Sequence, residues 1–241
     1  MFDHVTLRVS DTAIPNPFFE AALGALDVAP TSISEKWEVW PSFALTLEDD
    51  NHPPTRGLDV GFLAAGPTQV DEFWRVGNDA GASGDTTPGN QRIGGTSAYA
   101  AALRDPSGNR VAAVHTGSPR RLDNVVDYVR IGVRNLAAAA TFYRTIASAA
   151  GLEELTPDAD EIVFGASTGA RLLLAQGGPT EHLHLAFPGD DAAVQHFHSA
   201  ATTAGFRDNG KPGERPYHTG YYAAYVLDPD GNNIEVVNHH R

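Results

Sequence analysis

LDPDGNNIEVVN, residues 227–238, and RDPSGNRVAAVH, residues 104–115, are two copies of one pattern. Each carries Asp-Pro-x-Gly-Asn ahead of an apolar run, the signature of a tight turn between two β-strands. They part where Glu235 in one copy stands against Ala112 in the other. A carboxylate within an apolar strand is costly unless it is paired, hydrated or used. The difference between the two copies therefore bears on function as well as fold.

The echo extends beyond the turns. DHVTLRVSD (3–11) matches DYVRIGVRN (127–135), and QVDEFWRVGNDAGA (69–82) matches AVQHFHSAATTAGF (193–206). An offset of about 124 residues is too long for a solenoid repeat and reads as two homologous domains in tandem. Their join falls in TGSPRRLDN (116–124), which has the Gly, Pro and charge of a linker. Residues 1–118 and 123–241 are thus expected to be separate domains. Each half shows a period-2 strand (Val5, Leu7, Val9; Val129, Ile131, Val133), a helix and short strands, and then the same cycle again. Asn135 and Gly151 frame one helix as N-cap and stop. The expected fold class is α+β. Each domain has two βαβββ units that form a curved, mainly antiparallel sheet around a cup, with helices on the outer face.

Alternation assigns side chains to the faces of the sheet. In the second half it turns Tyr128, Arg130, His182, His184 and Glu235 into the cup, with Leu183, Leu185, Phe187, Ile234 and Val236 in the core. Two imidazoles and a carboxylate on separate strands suit a divalent metal with open positions. Two readings of Glu235 stand side by side: a ligand or catalytic base, or the partner of Arg130 in an ion pair that needs no metal. His184 reads as a metal ligand, and His182 as a third ligand or a residue at the cup mouth. Tyr128 reads as an aromatic wall. His218, ahead of Tyr221 and Tyr222, is a candidate general acid or base. RDNGKPGERPYH (207–218) is either a lid over the cup or a long hairpin arm.

With these residues assembled, the chain resembles the vicinal oxygen chelate superfamily, which includes glyoxalase I, extradiol dioxygenases and bleomycin resistance proteins. The resemblance rests on DHVTLRVSD, HLAF (184–187), DPDGNNIEVV (228–237) and HTGYYAAYVLDPDGN (218–232), and it spans both halves. It implies metal ligands from the first strand, the strand opening the second unit, and the last strand. In the second domain these positions are Tyr128, His184 and Glu235. In the first they are His4, Asp59 and Ala112, with Glu48, or Gln176 in the second half, as an additional ligand. By this carry-over neither half holds a full set, and the first cup reads as degenerate.

The resemblance implies an enzyme acting on a small oxygenated metabolite through Zn, Ni, Mn or Fe held by His184 and Glu235. Glu235 or His218 moves the proton, and Tyr128, Arg130, His182 and Tyr222 contact the substrate. Isomerase or lyase chemistry is expected ahead of dioxygenation, because the two-histidine, one-carboxylate set is incomplete. The alternative is a metal-free protein that sequesters a small drug or metabolite, cationic ones included. That reading draws on the formal charge of −13 and on Trp37, Trp40 and the tyrosines. The acidity is spread over both halves and argues against a nucleic-acid partner. No run approaches the roughly 18 apolar residues of a membrane span, the N-terminus carries no secretory leader, and cysteine is absent. The expectation is a soluble cytoplasmic protein, either a monomer with an internal pseudo-dimer or a homodimer.

Overall fold

The computed structural model describes residues 1–10, 16–117, 124–155, 161–165 and 169–240. The expected join between the halves lies largely outside them. Four βαβββ units follow one another along the chain. The first is β1 (His4–Val9), α1 (Pro17–Gly24), β2 (Ser32–Ile33), β3 (Trp37–Trp40) and β4 (Phe43–Leu47). The second is β5 (Leu58–Leu63), α2 (Pro67–Asp79), β6 (Ser83–Ile93), β7 (Thr96–Arg104) and β8 (Arg110–His115). The third is β9 (Val126–Val133), α3 (Leu136–Ile146), β10 (Glu153–Glu154), β11 (Glu161–Gly165) and β12 (Arg171–Gln176). The fourth is β13 (His184–Pro188), α4 (Asp191–Thr203), β14 (Arg207–Glu214), β15 (Tyr222–Leu227) and β16 (Asn233–Asn238).

The fold class is α+β, with two curved eight-stranded mixed sheets. How the units combine differs from the expected one cup per half. One sheet runs β14-β15-β16-β13-β1-β4-β3-β2 and the other β10-β11-β12-β9-β5-β8-β7-β6. The first unit therefore pairs with the fourth, through antiparallel β1 and β13, and the second with the third, through antiparallel β5 and β9. Each cup takes one unit from each half. The physical reason is that all four units present the same kind of apolar face and the same strand edge. Periodicity fixes a unit but not its partner. The segments crossing between the sheets touch each other: Arg56 bridges Glu181, and the Thr180 hydroxyl donates to the Gly57 carbonyl at 2.9 Å.

Alternation packs Val5, Leu7, Val9, Leu183, Leu185, Phe187, Ile234 and Val236 into one apolar core with the helices. Side-chain caps from Asn135 and Asp190 begin α3 and α4 by accepting from Ala138 N and Ala193 N. The Asp-Pro-x-Gly-Asn turns also have a tertiary role. Asn232 is fully buried and donates to Asp228, while its oxygen accepts from Leu183 N at 3.0 Å. Asn109 holds Leu58 N in the same way at 3.1 Å. Each turn thus pins the first strand of its own unit, and in the fourth unit the pinned residue is adjacent to His184.

Candidate metal centre

On β1, side chains 4, 6 and 8 turn into the first cup. On β13 His184 does so, and on β16 Glu235. The register sets Thr6 beside His184 and His4 beside Ala186, which in turn neighbours Glu235. His4, His184 and Glu235 converge as a result. His4 Nε2 lies 3.1 Å from His184 Nε2, and Glu235 Oε2 lies 2.9 Å from His184 Nε2 and 3.6 Å from His4 Nε2. Among the described residues this trio is the group able to hold a metal ion.

The donor set fits a divalent cation. The Nδ1 proton of His4 is held by Asp3 at 2.7 Å, which leaves Nε2 as a bare lone pair. Nδ1 of His184 meets the Asn233 side-chain amide at 2.7 Å. As placed, that amide nitrogen donates to Nδ1 while its oxygen accepts from Asn209 at 2.9 Å, so the ring proton sits on Nε2 and is the one a cation would displace. Glu235 is fully buried, and its Oε2 meets the His184 ring nitrogen at 2.9 Å. One proton can satisfy one pair of these atoms, whereas one cation satisfies all three. Bonds of about 2.0–2.2 Å place neighbouring ligand atoms roughly 3.0 Å apart at right angles and roughly 3.4 Å apart in a tetrahedron. The observed spacings lie in that range.

Electrostatics agree with this assignment. Burial pushes the Glu235 carboxyl up, but His184, His4 and the Tyr221 hydroxyl bring it below its ordinary value. Burial pulls His184 down past what Glu235 restores, so its imidazole is neutral at neutral pH. For His4 the Asp3 hydrogen bond and the charge of Glu235 outweigh burial and raise the pKa. Tyr221 donates to Glu235 Oε1 at 2.8 Å. Tyr225 stands opposite Glu235 on the neighbouring strand, its hydroxyl buried without a hydrogen-bond partner. Burial and the charge of Glu235 push both phenols far up, so both remain donors.

The trio opens into a cavity of about 850 Å³ whose lining includes Arg8, Trp37, His52, His182, Tyr217 and Tyr225. Several expected site residues stand elsewhere. Tyr128 and Arg130 belong to the other cup, and Arg130 pairs with Asp59 at 2.9 Å and Glu161 at 2.6 Å, not with Glu235. Tyr222 faces the helix side, where it packs against the core and receives a bond from Gln195, because Tyr225 takes the cup-facing parity of that strand. His218 is exposed and does not line the cavity. It reaches the centre through a chain: His218 to His239 at 2.8 Å, His239 to Asp3 at 2.9 Å, and Asp3 to His4. Glu48 is exposed beyond the end of β4, and Gln176 binds Leu136 N and Arg134 O. His182 lines the cavity with a left-handed backbone, φ 59°. Residues 207–214 form strand β14, so the expected lid is one arm of a hairpin.

A model of the Glyoxalase/Bleomycin resistance protein/Dioxygenase superfamily matches residues 125–236. A glyoxalase/bleomycin resistance protein from Albidiferax ferrireducens T118 is 32% identical over 48% of this chain and 98% of its own, with a TM-score of 0.43. The chain belongs to this superfamily. Over nearly the whole chain its fold is similar to glyoxalase I from Zea mays, at 17% identity, TM-score 0.67, and 99% and 92% of the two chains. It is also similar to a putative dioxygenase from Bacillus subtilis, at 12% identity, TM-score 0.65, and 98% and 84% of the two chains. A comparison with curated proteins returns no match.

Within this superfamily fold the second cup shows what became of the equivalent positions. Strand register puts Tyr128 where the first cup has His4, Asp59 where it has His184, Ala112 for Glu235 and Arg110 for Asn233. The Arg110 guanidinium sits among them and donates to Asp59 at 2.9 and 3.0 Å and to the Tyr128 hydroxyl at 2.9 Å. A fixed organic cation holds the centre of the second cup. The Tyr128 ring packs with Ile93, Ala100, Ala112, Val163 and Leu173 and fills the space. Gly61 makes room for that ring: a Cβ there would lie 2.1 Å from Tyr128 Cε1. Ala112 is therefore part of a packed interior, and Glu235 part of an open one.

Sequence reasoning placed His4 on the correct face but in the other cup. It passed over Asp3 and Arg8 altogether. The signal for Arg8 was available, since it follows His4 by two alternation steps.

Proposed function

We propose that the chain is a metal-dependent enzyme whose centre is His4, His184 and Glu235, acting on a small planar molecule that offers two adjacent oxygens. The observation carrying this reading is the mutual approach of three potential ligand atoms, two imidazole and one carboxylate, on one side of an open cavity. A divalent ion bound there supplies a Lewis acid with open positions, and two histidines with one carboxylate are the donor set of non-haem Fe(II) oxygenases. What supports dioxygenation over the isomerase or lyase chemistry expected from sequence is that Glu48 is exposed and does not line the cavity, while the adjoining strand offers it Ala44. Tyr225 donates its proton to a substrate oxygen, Tyr221 orients Glu235, and Asp3 holds the His4 tautomer. Trp37 and Tyr217, both exposed at the mouth, cover the faces of a flat substrate. The Arg130–Glu235 ion pair, one support of the metal-free reading, is not formed, since Arg130 pairs with Asp59 and Glu161.

The test is oxygen uptake and ring-cleavage absorbance with catechol as probe, after loading with Fe(II) under anaerobic conditions. The reading expects turnover that His184→Ala abolishes. Tight metal loading without turnover of any vicinal diol supplied would overturn the oxygenase part.

A further inference from the structure

Beyond the three metal-binding groups and their direct partners, the first cup contains one strong cation. Arg8 lies on the same face of β1 as His4, four residues on. At about 3.3 Å per residue their Cα atoms are roughly 13 Å apart, and both side chains line the same cavity. By contrast, the arginines of the second cup's charge cluster have carboxylates: Arg110 has Asp59 and Asp85, and Arg130 has Asp59 and Glu161. Arg8 has none. Among the described residues no carboxylate lies within 4.0 Å of its guanidinium, and no side-chain or backbone oxygen accepts from it. The neighbouring acid, Asp49, is taken by His52 at 2.8 and 2.9 Å and by Asn51 N at 2.9 Å. The cavity's own acids are also committed, Asp3 to His4 and His239, and Glu235 to the metal-binding trio.

A half-buried guanidinium that no protein oxygen engages keeps its fork free for a ligand. The group that matches it in shape and charge is a carboxylate, held through two parallel N–H···O bonds. In a chain of net charge −13, such a local cation is needed to draw an anion into the cup. Building on the chelate reading of this cup, we propose that the substrate is a planar carboxylic acid. Its two adjacent oxygens face His4, His184 and Glu235, and its carboxylate, at the far end, is bound by Arg8. This makes Arg8 the residue that sets specificity, and it excludes the cationic ligand suggested by overall charge.

The test uses calorimetry on the Zn(II)-loaded protein, since zinc binds without redox turnover, with catechol and 3,4-dihydroxybenzoate as probes. The wild type should bind the carboxylate probe at least tenfold more tightly than catechol. In Arg8→Gln that ratio should fall to within twofold of one, and in Arg8→Lys, which keeps the charge but not the fork, it should be intermediate. No preference in the wild type, or a preference that survives Arg8→Gln, overturns the proposal. A separate arm uses 3,4-dimethoxybenzoate, which cannot chelate, on the metal-free protein. Binding lost in Arg8→Gln supports the role of Arg8 even if catechol fails to recognise bound zinc, and that failure would count against the chelate reading alone. Binding unaffected by Arg8→Gln in this arm counts against Arg8 alone. Arg8→Lys guards against a glutamine variant that fails to fold.

Discussion

His4 and His184, 180 residues apart in the chain, face each other with their Nε2 atoms 3.1 Å apart. The contact exists because the first unit of the chain closes a cup with the last. It brings one histidine from each half to a single carboxylate and completes a set that neither half contains.

The Asp3 carboxylate holds the Nδ1 proton of His4 and so turns Nε2 toward the proposed metal position. Partners of this kind are worth roughly 10–100-fold in metal affinity. Asp3→Asn should weaken divalent metal binding by about that factor while leaving the fold intact, read by competition with a chromogenic chelator. An unchanged affinity would show that Asp3 does not orient the ring.

In the second cup Asp59 neutralises Arg110 and Arg130 together. Its removal leaves two cations facing a buried phenol. Asp59→Ala leaves the buried Tyr128 hydroxyl without its acceptor while Arg110 and Arg130 keep Asp85 and Glu161, and it should cost about 1–3 kcal/mol of folding stability, measured by urea denaturation, with metal stoichiometry unchanged. A loss of metal in this variant would mean that the second cup contributes to the site.

Gly61 lies against the Tyr128 ring, whereas its counterpart Ala186 in the first cup carries a Cβ beside His4. Gly61→Ala forces the ring or the strand to move and should destabilise by about 1–3 kcal/mol. A neutral result in the same denaturation assay would mean that the ring is not tightly packed.

Asp85 is drawn below its ordinary pKa: burial raises it, but the Arg110 hydrogen bond, Thr86, and the charges of Arg110 and Arg104 bring it down further. A carboxyl whose folded-state pKa is depressed adds stability above the range where free carboxylates titrate, around pH 4. That stability is lost as pH falls through the folded value. Asp85→Asn should therefore flatten the acid side of the stability profile and leave its shape at neutral pH unchanged. A wild-type acid limb retained in the variant would assign it to other groups.

Much of this arrangement was legible in the sequence because alternation is local. The faces of His4, Tyr128, Arg130, His184 and Glu235 follow from two-residue periodicity and the apolar residues between them. The four-unit organisation follows from the repeated strand, helix and turn. Which unit closes on which did not follow. Asn109 and Asn232 pin strands within their own units, and nothing in the motif names the partner unit. That one missing choice put His4 and Glu235 in different cups and left the ligand set incomplete. Tyr222 was misplaced for a different reason: two adjacent tyrosines precede the last hairpin, and parity there depends on where the strand starts.

The central claim is that one ion is shared between the two ends of the chain. The direct measurement is metal bound per chain after equilibrium dialysis of untagged protein against Fe(II) or Mn(II), for the wild type and for His4→Ala, His184→Ala and Glu235→Ala. The account predicts one equivalent in the wild type and loss in all three variants. One equivalent retained with wild-type affinity in His4→Ala, or none bound by the wild type, would contradict it.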